Sequence, residues 1–203
     1  MNIAIISDSR AFLGAQPTWP YILINIDKQN KYTIFPRKTR LYSVFEQVDD
    51  LKQFSKTNKV DIAIFQTAYH EYICPWSIKV HQSMLGKYDP TFDKFLKPVV
   101  GGKFVGRFHY RNIELIKNTL SQINNYCKHS LYIYVPYNLD DLLLATLEAN
   151  KFYSLYFTSS IVLSTDKSFV PTYTMNAETD KIHYNQIGAK LISGLVHNYI
   201  KGI

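Results

Sequence analysis

Residues 60–65 read Val-Asp-Ile-Ala-Ile-Phe, a run in which the aspartate is the one polar residue. A strand with apolar side chains on both faces is typical of a parallel sheet that is covered by helices on both sides. Shorter, largely apolar runs occur at residues 3–6, 32–35, 131–135 and 161–163. The run at 60–65 therefore predicts a buried parallel strand, and the other four are its expected neighbours.

Amphipathic segments alternate with these strands. In residues 41–54, apolar side chains recur at three- and four-residue steps, which is the spacing of one helix face. By similar reasoning, further helices are predicted at residues 19–26, 112–126, 139–149 and 187–196. The alternation predicts a single α/β domain over residues 1–203, a sandwich with a parallel sheet between two helical layers and the first strand at its centre.

The composition is that of a folded globular chain. Hydrophobic residues make up 46% and charged residues 19% of 203 positions, a balance that excludes a disordered chain. A formal charge of +7 favours anionic partners. The basic residues are scattered, however, and the densest cluster, at 37–40, is short. No nucleic-acid partner is therefore expected.

The cysteines and the amino terminus bear on location and cofactors. Cys74 and Cys127 have no metal-ligand spacing and are too few for a disulfide framework. The first residues lack the basic region and the long apolar stretch of a signal peptide, and no run approaches the roughly 18 apolar residues that cross a bilayer. We expect a cytoplasmic protein with no membrane partner, no metal and no cofactor.

Three polar loops are predicted to meet at one edge of the sheet. Residues 7–10 follow the first strand, residues 66–71 follow the third, and residues 164–183 follow the last. In open α/β sheets, ligands bind beyond the carboxyl ends of the strands. This edge is therefore the expected site.

Ser9, Asp180 and His183 carry the chemistry expected at this edge. A serine directly after a strand can present its hydroxyl, a histidine can take the proton, and an aspartate can fix the imidazole. Asp180 and His183 are three residues apart, on what we expect to be one turn before the last helix. Each segment alone has a structural alternative, because serine and aspartate also cap helices.

Together the two segments resemble the first and last motif blocks of the SGNH (GDSL-like) hydrolase superfamily. Residues 3–10 (IAIISDSR) resemble the block that usually contains Gly-Asp-Ser, and residues 180–188 (DKIHYNQIG) resemble the Asp-x-x-His block with its later Asn and Gly. The resemblance implies a three-layer, flavodoxin-like fold with a five-stranded parallel sheet. It assigns Ser9 as nucleophile, His183 as base and Asp180 as the residue that orients His183.

The middle blocks of the family are poorly matched. Ser7 stands where the first block usually has glycine, and no glycine occurs between Gly14 and Gly86 to donate to an oxyanion. Residues 68–71 (AYHE) replace the family's Gly-x-Asn-Asp, so no asparagine stands there either. The usual oxyanion donors are therefore missing from the sequence.

Few donors remain for the oxyanion. The backbone N–H of Ser9 can serve as one, and the side chain of His70, or that of Gln66, is a candidate for another. Loss of one donor typically lowers the rate ~10²–10³-fold. The open functions are a serine esterase or deacetylase acting on a carbohydrate or other small ester, an O-acetyltransferase with the same triad, an inactive SGNH-like module that binds a glycan or protein, and a flavodoxin-like nucleotide binder.

Overall fold

The computed structural model describes residues 1–7, 11, 16–35, 44–67, 113–135, 143–163, 172–176 and 180–203, with the backbone alone described at 113, 143–148, 175–176 and 180–182. One sheet contains five strands, which are β1 (Asn2–Ser7), β2 (Lys31–Phe35), β3 (Ile62–Gln66), β4 (His129–Ile133) and β5 (Ser159–Ile161). Their order is β2-β1-β3-β4-β5, and each neighbouring pair is parallel. The predicted five-stranded parallel sheet is confirmed.

The position of the first strand differs from the expectation. The sequence predicts β1 at the centre of the sheet, whereas the structure places β3 there and β1 second, between β2 and β3. From Ile3 to Ser7 every residue of β1 is buried. A wholly buried strand needs a neighbour on each side, and the second position provides both.

Five α-helices are described, which are α1 (Trp19–Ile26), α2 (Val44–Ser55), α3 (Ile113–Leu120), α4 (Leu143–Ser154) and α5 (Gln186–Lys201). Ile3 and Ile5 pack with α1 and α5, whereas Ala4 and Ile6 pack with α2, α3 and α4. Successive side chains of a strand point to opposite faces, so each strand supplies both helical layers. The predicted α/β/α sandwich is confirmed. Across the described residues, no helix has the length and apolar character to cross a membrane.

The fourth strand ends earlier than the sequence predicts, at Ile133 and not at Val135. The cause is a side chain of α4. Asn150 accepts a hydrogen bond from the backbone N–H of Val135 at 3.0 Å, and its Nδ2 donates to the carbonyl of Val135 at 2.9 Å. Because Asn150 takes both backbone groups, Val135 leaves the strand ladder without losing hydrogen bonds.

Two further strands form a ribbon apart from the main sheet. They are β6 (Thr174–Asn176) and β7 (Asp180–Tyr184), and they pair in the antiparallel sense. The prediction of one turn at Asp180 to His183 is wrong, because these residues belong to β7. The pairing with β6 extends the backbone there.

Candidate active site

The carboxyl ends of β1 and β3 are joined by a side-chain hydrogen bond. Ser7 and Gln66 are the last residues of the two strands and lie opposite each other in the register. Both are fully buried, and the hydroxyl of Ser7 donates to the carbonyl oxygen of Gln66 at 2.9 Å. Ser7 occupies the position where the SGNH block usually has glycine. The serine is accommodated there because its hydroxyl has an acceptor within the sheet.

The side chain of Gln66 holds two further elements. Its Oε1 accepts from the indole N–H of Trp19 at 3.1 Å, and its Nε2 donates to the hydroxyl oxygen of Tyr184 at 2.6 Å. Trp19 is the first residue of α1, and Tyr184 is the last residue of β7. The amide of Gln66 is therefore a buried structural link. The interpretation of Gln66 as an oxyanion donor is wrong, because none of its surface is exposed.

A serine of α5 extends this link to the last helix. The hydroxyl of Ser193 contacts the carbonyl oxygen of Trp19 at 2.8 Å and that of Ala189 at 2.7 Å. Ser193 is fully buried between α1 and α5. The start of α1, the end of β3, the end of β7 and the body of α5 thus share one connected set of buried hydrogen bonds.

His183 lies beside the anchored Tyr184. Tyr184 is 2% exposed and belongs to the core between the sheet and helices α1 and α5. His183 as a whole is half-buried. The ribbon therefore has one core-facing anchor directly next to the predicted base.

Asn185 joins β7 to α5 and holds residues 172–174 against the helix. Its Oδ1 accepts from the backbone N–H of Gly188 at 2.9 Å, which caps the helix. Its Nδ2 donates to the carbonyls of Thr172 at 2.8 Å and Thr174 at 3.0 Å. The later Asn of the motif block thus caps helix α5 and also holds residues 172–174 against the start of that helix.

Replacing Asn185 by alanine is expected to lower the free energy of unfolding by about 1–2 kcal/mol, because the helix loses its cap. Urea denaturation measures this loss. The matched control is Asn198→Ala, which removes an exposed asparagine from the same helix and is expected to change stability by no more than about 0.5 kcal/mol. Equal losses in the two variants would contradict the capping role.

The later Gly of the motif block is required by close packing. A Cβ at Gly188 would lie 2.3 Å from the carbonyl oxygen of Tyr173. The same oxygen accepts from the backbone N–H of Asn185 at 3.0 Å. A glycine lets the first turn of α5 approach the 172–174 segment, and a side chain would keep them apart.

The side chains of the remaining predicted site residues lie outside the described part of the structure. Ser9 and His70 lie outside the described residues, and Asp180 is described by its backbone alone. Of the residues near them in the chain, Ser7 and Tyr184 are described, and both are hydrogen-bonded to Gln66 at the carboxyl end of β3.

A concave region lies at the opposite, amino-terminal edge of the sheet. It has a volume of about 460 Å³, and Asp27 and His197 are among its lining residues. Burial raises the pKa of Asp27, but hydrogen bonds from Tyr32, Asn30 and the backbone of Gln29 outweigh burial and hold it below its usual range. Asp27 is therefore ionised, and its carboxylate accepts hydrogen bonds from these neighbouring residues. Among the described residues, no group of three or more His, Cys, Asp or Glu could hold a metal ion.

Comparison with known proteins finds similarity in structure alone. No protein-family model matches the chain, and no curated protein matches it either. A lipase/acylhydrolase from Enterococcus faecalis superposes with a TM-score of 0.56 and 13% identity over 99% of this chain and 95% of that chain. Axe2, an acetylxylan esterase from Geobacillus stearothermophilus, gives 0.53 and 13% over 96% and 91%.

A third structure agrees with these two. An alpha/beta hydrolase from the metagenome of Lake Arreo, Spain, has a TM-score of 0.54 and 13% identity over 97% of this chain and 94% of that chain. At such identities the likeness concerns the fold. The chain has the fold of known esterases and acylhydrolases, and the fold that the SGNH resemblance implies is confirmed.

Proposed function

We propose that this protein is a serine esterase that removes short acyl groups from a carbohydrate or another small ester. The observation that carries the proposal is the hydrogen-bonded path from Ser7 through Gln66 to Tyr184. This path starts two residues before Ser9 and ends one residue after His183. The likeness in fold to esterases supports the same reaction class.

The proposed reaction follows the logic of a Ser-His-Asp triad. The hydroxyl oxygen of Ser9 attacks the ester carbonyl carbon while the imidazole of His183 accepts the hydroxyl proton. The tetrahedral intermediate collapses, the bond to the alcohol oxygen breaks, and that oxygen takes the proton from His183. Water then attacks the acyl-serine by the same route, which releases the acid. Asp180 fixes the imidazole and stabilises its charged form.

The rate of this reaction is expected to be modest. The backbone N–H of Ser9 is one proposed oxyanion donor, and His70 is the remaining side-chain candidate once Gln66 is excluded. Each lost donor lowers the rate by roughly 10²–10³-fold. The shortage of oxyanion donors also favours one alternative function. In this alternative, the protein is an inactive module that binds a glycan or protein at the same edge of the sheet.

An acetyl group on a sugar hydroxyl is the substrate class that we favour. The acetylxylan esterase among the similar structures supports this choice. An O-acetyltransferase would share the triad and differ in the acceptor of the acyl group. Addition of a sugar acceptor to the hydrolysis assay separates the two, because a transferase forms a new sugar ester whereas an esterase releases the free acid.

The pH dependence of p-nitrophenyl acetate hydrolysis tests the proposal. We expect the rate to be higher at neutral than at acidic pH, because general-base catalysis by an imidazole requires its neutral form. Ser9→Ala protein provides the blank at each pH. An activity that is equal at neutral and acidic pH, after subtraction of the blank, would count against a histidine base.

A cytoplasmic location is also part of the proposal. Cys127 is a free, partly buried thiol, which supports a reducing compartment. Burial raises the pKa of this thiol to about 12, so it stays protonated and unreactive at neutral pH. Recovery of the native protein outside the cell would contradict this location.

A further inference from the structure

The Trp19–Gln66–Tyr184 network is an unusual polar feature of an apolar core. Gln66 ends a strand whose other residues are all isoleucine, alanine or phenylalanine. Trp19 and Gln66 have no exposed surface, and Tyr184 has 2%. Burial of an amide is costly unless its groups are hydrogen-bonded, and here both ends of the amide are. An apolar residue would fill the same space without that cost.

The network fixes both the position of the Tyr184 side chain and the direction in which its ring points. Hydrophobic contacts are non-directional, whereas a hydrogen bond of 2.6 Å between Gln66 Nε2 and the Tyr184 hydroxyl fixes where the ring ends. Because Tyr184 and His183 are adjacent in β7, rotation of the strand about its axis would move both side chains. An anchored Tyr184 therefore restricts the direction in which His183 leaves the strand.

The other end of the network reaches the strand that precedes the nucleophile. The backbone carbonyl of Gln66 accepts from Ser7, and its side chain binds Trp19 and Tyr184. Gln66 is thus hydrogen-bonded both to the end of β1 and to the ribbon β6–β7. These segments are far apart in sequence, since Gln66 lies 59 residues from Ser7 and 118 from Tyr184.

We propose that Trp19, Gln66 and Tyr184 are positioning residues that set the direction of the His183 imidazole. The inference rests on the proposed function for the roles of Ser9 and His183. None of the three touches the reacting atoms in this account. They act through His183. By anchoring Tyr184, they prevent β7, the strand that carries His183, from rotating about its axis or sliding along it.

The test compares two buried tyrosine hydroxyls in the esterase assay. Tyr184→Phe removes the hydroxyl that binds Gln66. The matched control, Tyr132→Phe, removes a hydroxyl that binds the amide of Asn150 at 3.1 Å on the other face of the sheet, where Tyr132 is 1% exposed. Each variant loses a buried contact between a hydroxyl and an amide, so thermal unfolding should detect a loss of stability in both.

Catalysis should separate the two variants. We expect Tyr184→Phe to lower kcat by about tenfold to a hundredfold with little change in KM, because a small misplacement of a catalytic group is costly. Tyr132→Phe should keep the wild-type kcat. The double variant Gln66→Met/Tyr184→Phe should lose no more than Gln66→Met alone, since residues of one network are not additive.

The imidazole signal of His183 gives a readout that needs no turnover. In NMR spectra, assigned with a His183→Gln variant, Tyr184→Phe should shift the imidazole resonances and Tyr132→Phe should leave them in place. If Tyr184→Phe keeps both the wild-type kcat and the wild-type resonances, the positioning role is wrong while the proposed function stands. If Ser9→Ala hydrolyses esters as well as wild type does, the proposed function fails and the inference fails with it.

Discussion

Replacement of Ser9 or His183 by alanine should lower kcat/KM for p-nitrophenyl acetate by about 10³-fold or more, to a similar residual value in the two variants. The similarity is expected because nucleophile and base act as a unit. Without His183 the serine proton has no acceptor, and without Ser9 the base has no proton to take. Asp180→Ala should cost less, because an imidazole can still accept a proton when its orientation is less restricted.

His197→Ala is the matched control for this comparison. His197 lines the cavity at the amino-terminal edge, opposite the proposed site, and its loss should leave kcat/KM within about twofold of wild type if catalysis needs the triad alone. Kinetics on purified, folded variants measure all four values. A His183→Ala variant that keeps the wild-type kcat/KM would remove His183 from the reaction.

Gly188→Ala should be strongly destabilising, with a loss of about 3 kcal/mol. The added Cβ would lie 2.3 Å from the carbonyl oxygen of Tyr173, and a backbone atom cannot move aside as a flexible side chain can. Either the helix start or the 172–174 segment must shift. The shift also strains the clamp that Asn185 makes on Thr172 and Thr174.

Gly194→Ala in the same helix should have the opposite effect on the free energy of unfolding. A Cβ at Gly194 meets no atom within 4 Å, so alanine there should raise the free energy of unfolding by about 0.5–1 kcal/mol through helix propensity. Urea denaturation of both variants isolates the steric effect, since each introduces one methyl group into one helix. Two variants of equal stability would show that Gly188 is not required by close packing.

Much of the fold could be predicted from sequence because its signals are local. A strand buried on both faces is apolar throughout, as residues 62–65 of β3 are, and α1 is predicted with the observed bounds, Trp19–Ile26. The ends of other elements depend on distant side chains. Asn150 ends β4 by taking the backbone groups of Val135, and nothing near residue 135 in the sequence predicts that contact.

The ribbon β6–β7 and the buried network were beyond sequence reasoning for a related reason. Strand β7 is polar at Asp180, Lys181 and His183, so no run of apolar residues predicts it. Gln66 joins Trp19 and Tyr184 across 47 and 118 residues. A glutamine at the end of an otherwise apolar run is a local signal that could have indicated a polar network. The roles of Ser9, Asp180 and His183 stay predictions.

Labelling with a fluorophosphonate, followed by mass spectrometry of the modified peptide, tests the central claim most directly. The probe reacts with a serine hydroxyl that a neighbouring base activates. The account predicts a single adduct on Ser9 in the wild-type protein and strongly slowed labelling in His183→Ala. Folded wild-type protein that forms no adduct, or forms it on another serine, would contradict the account.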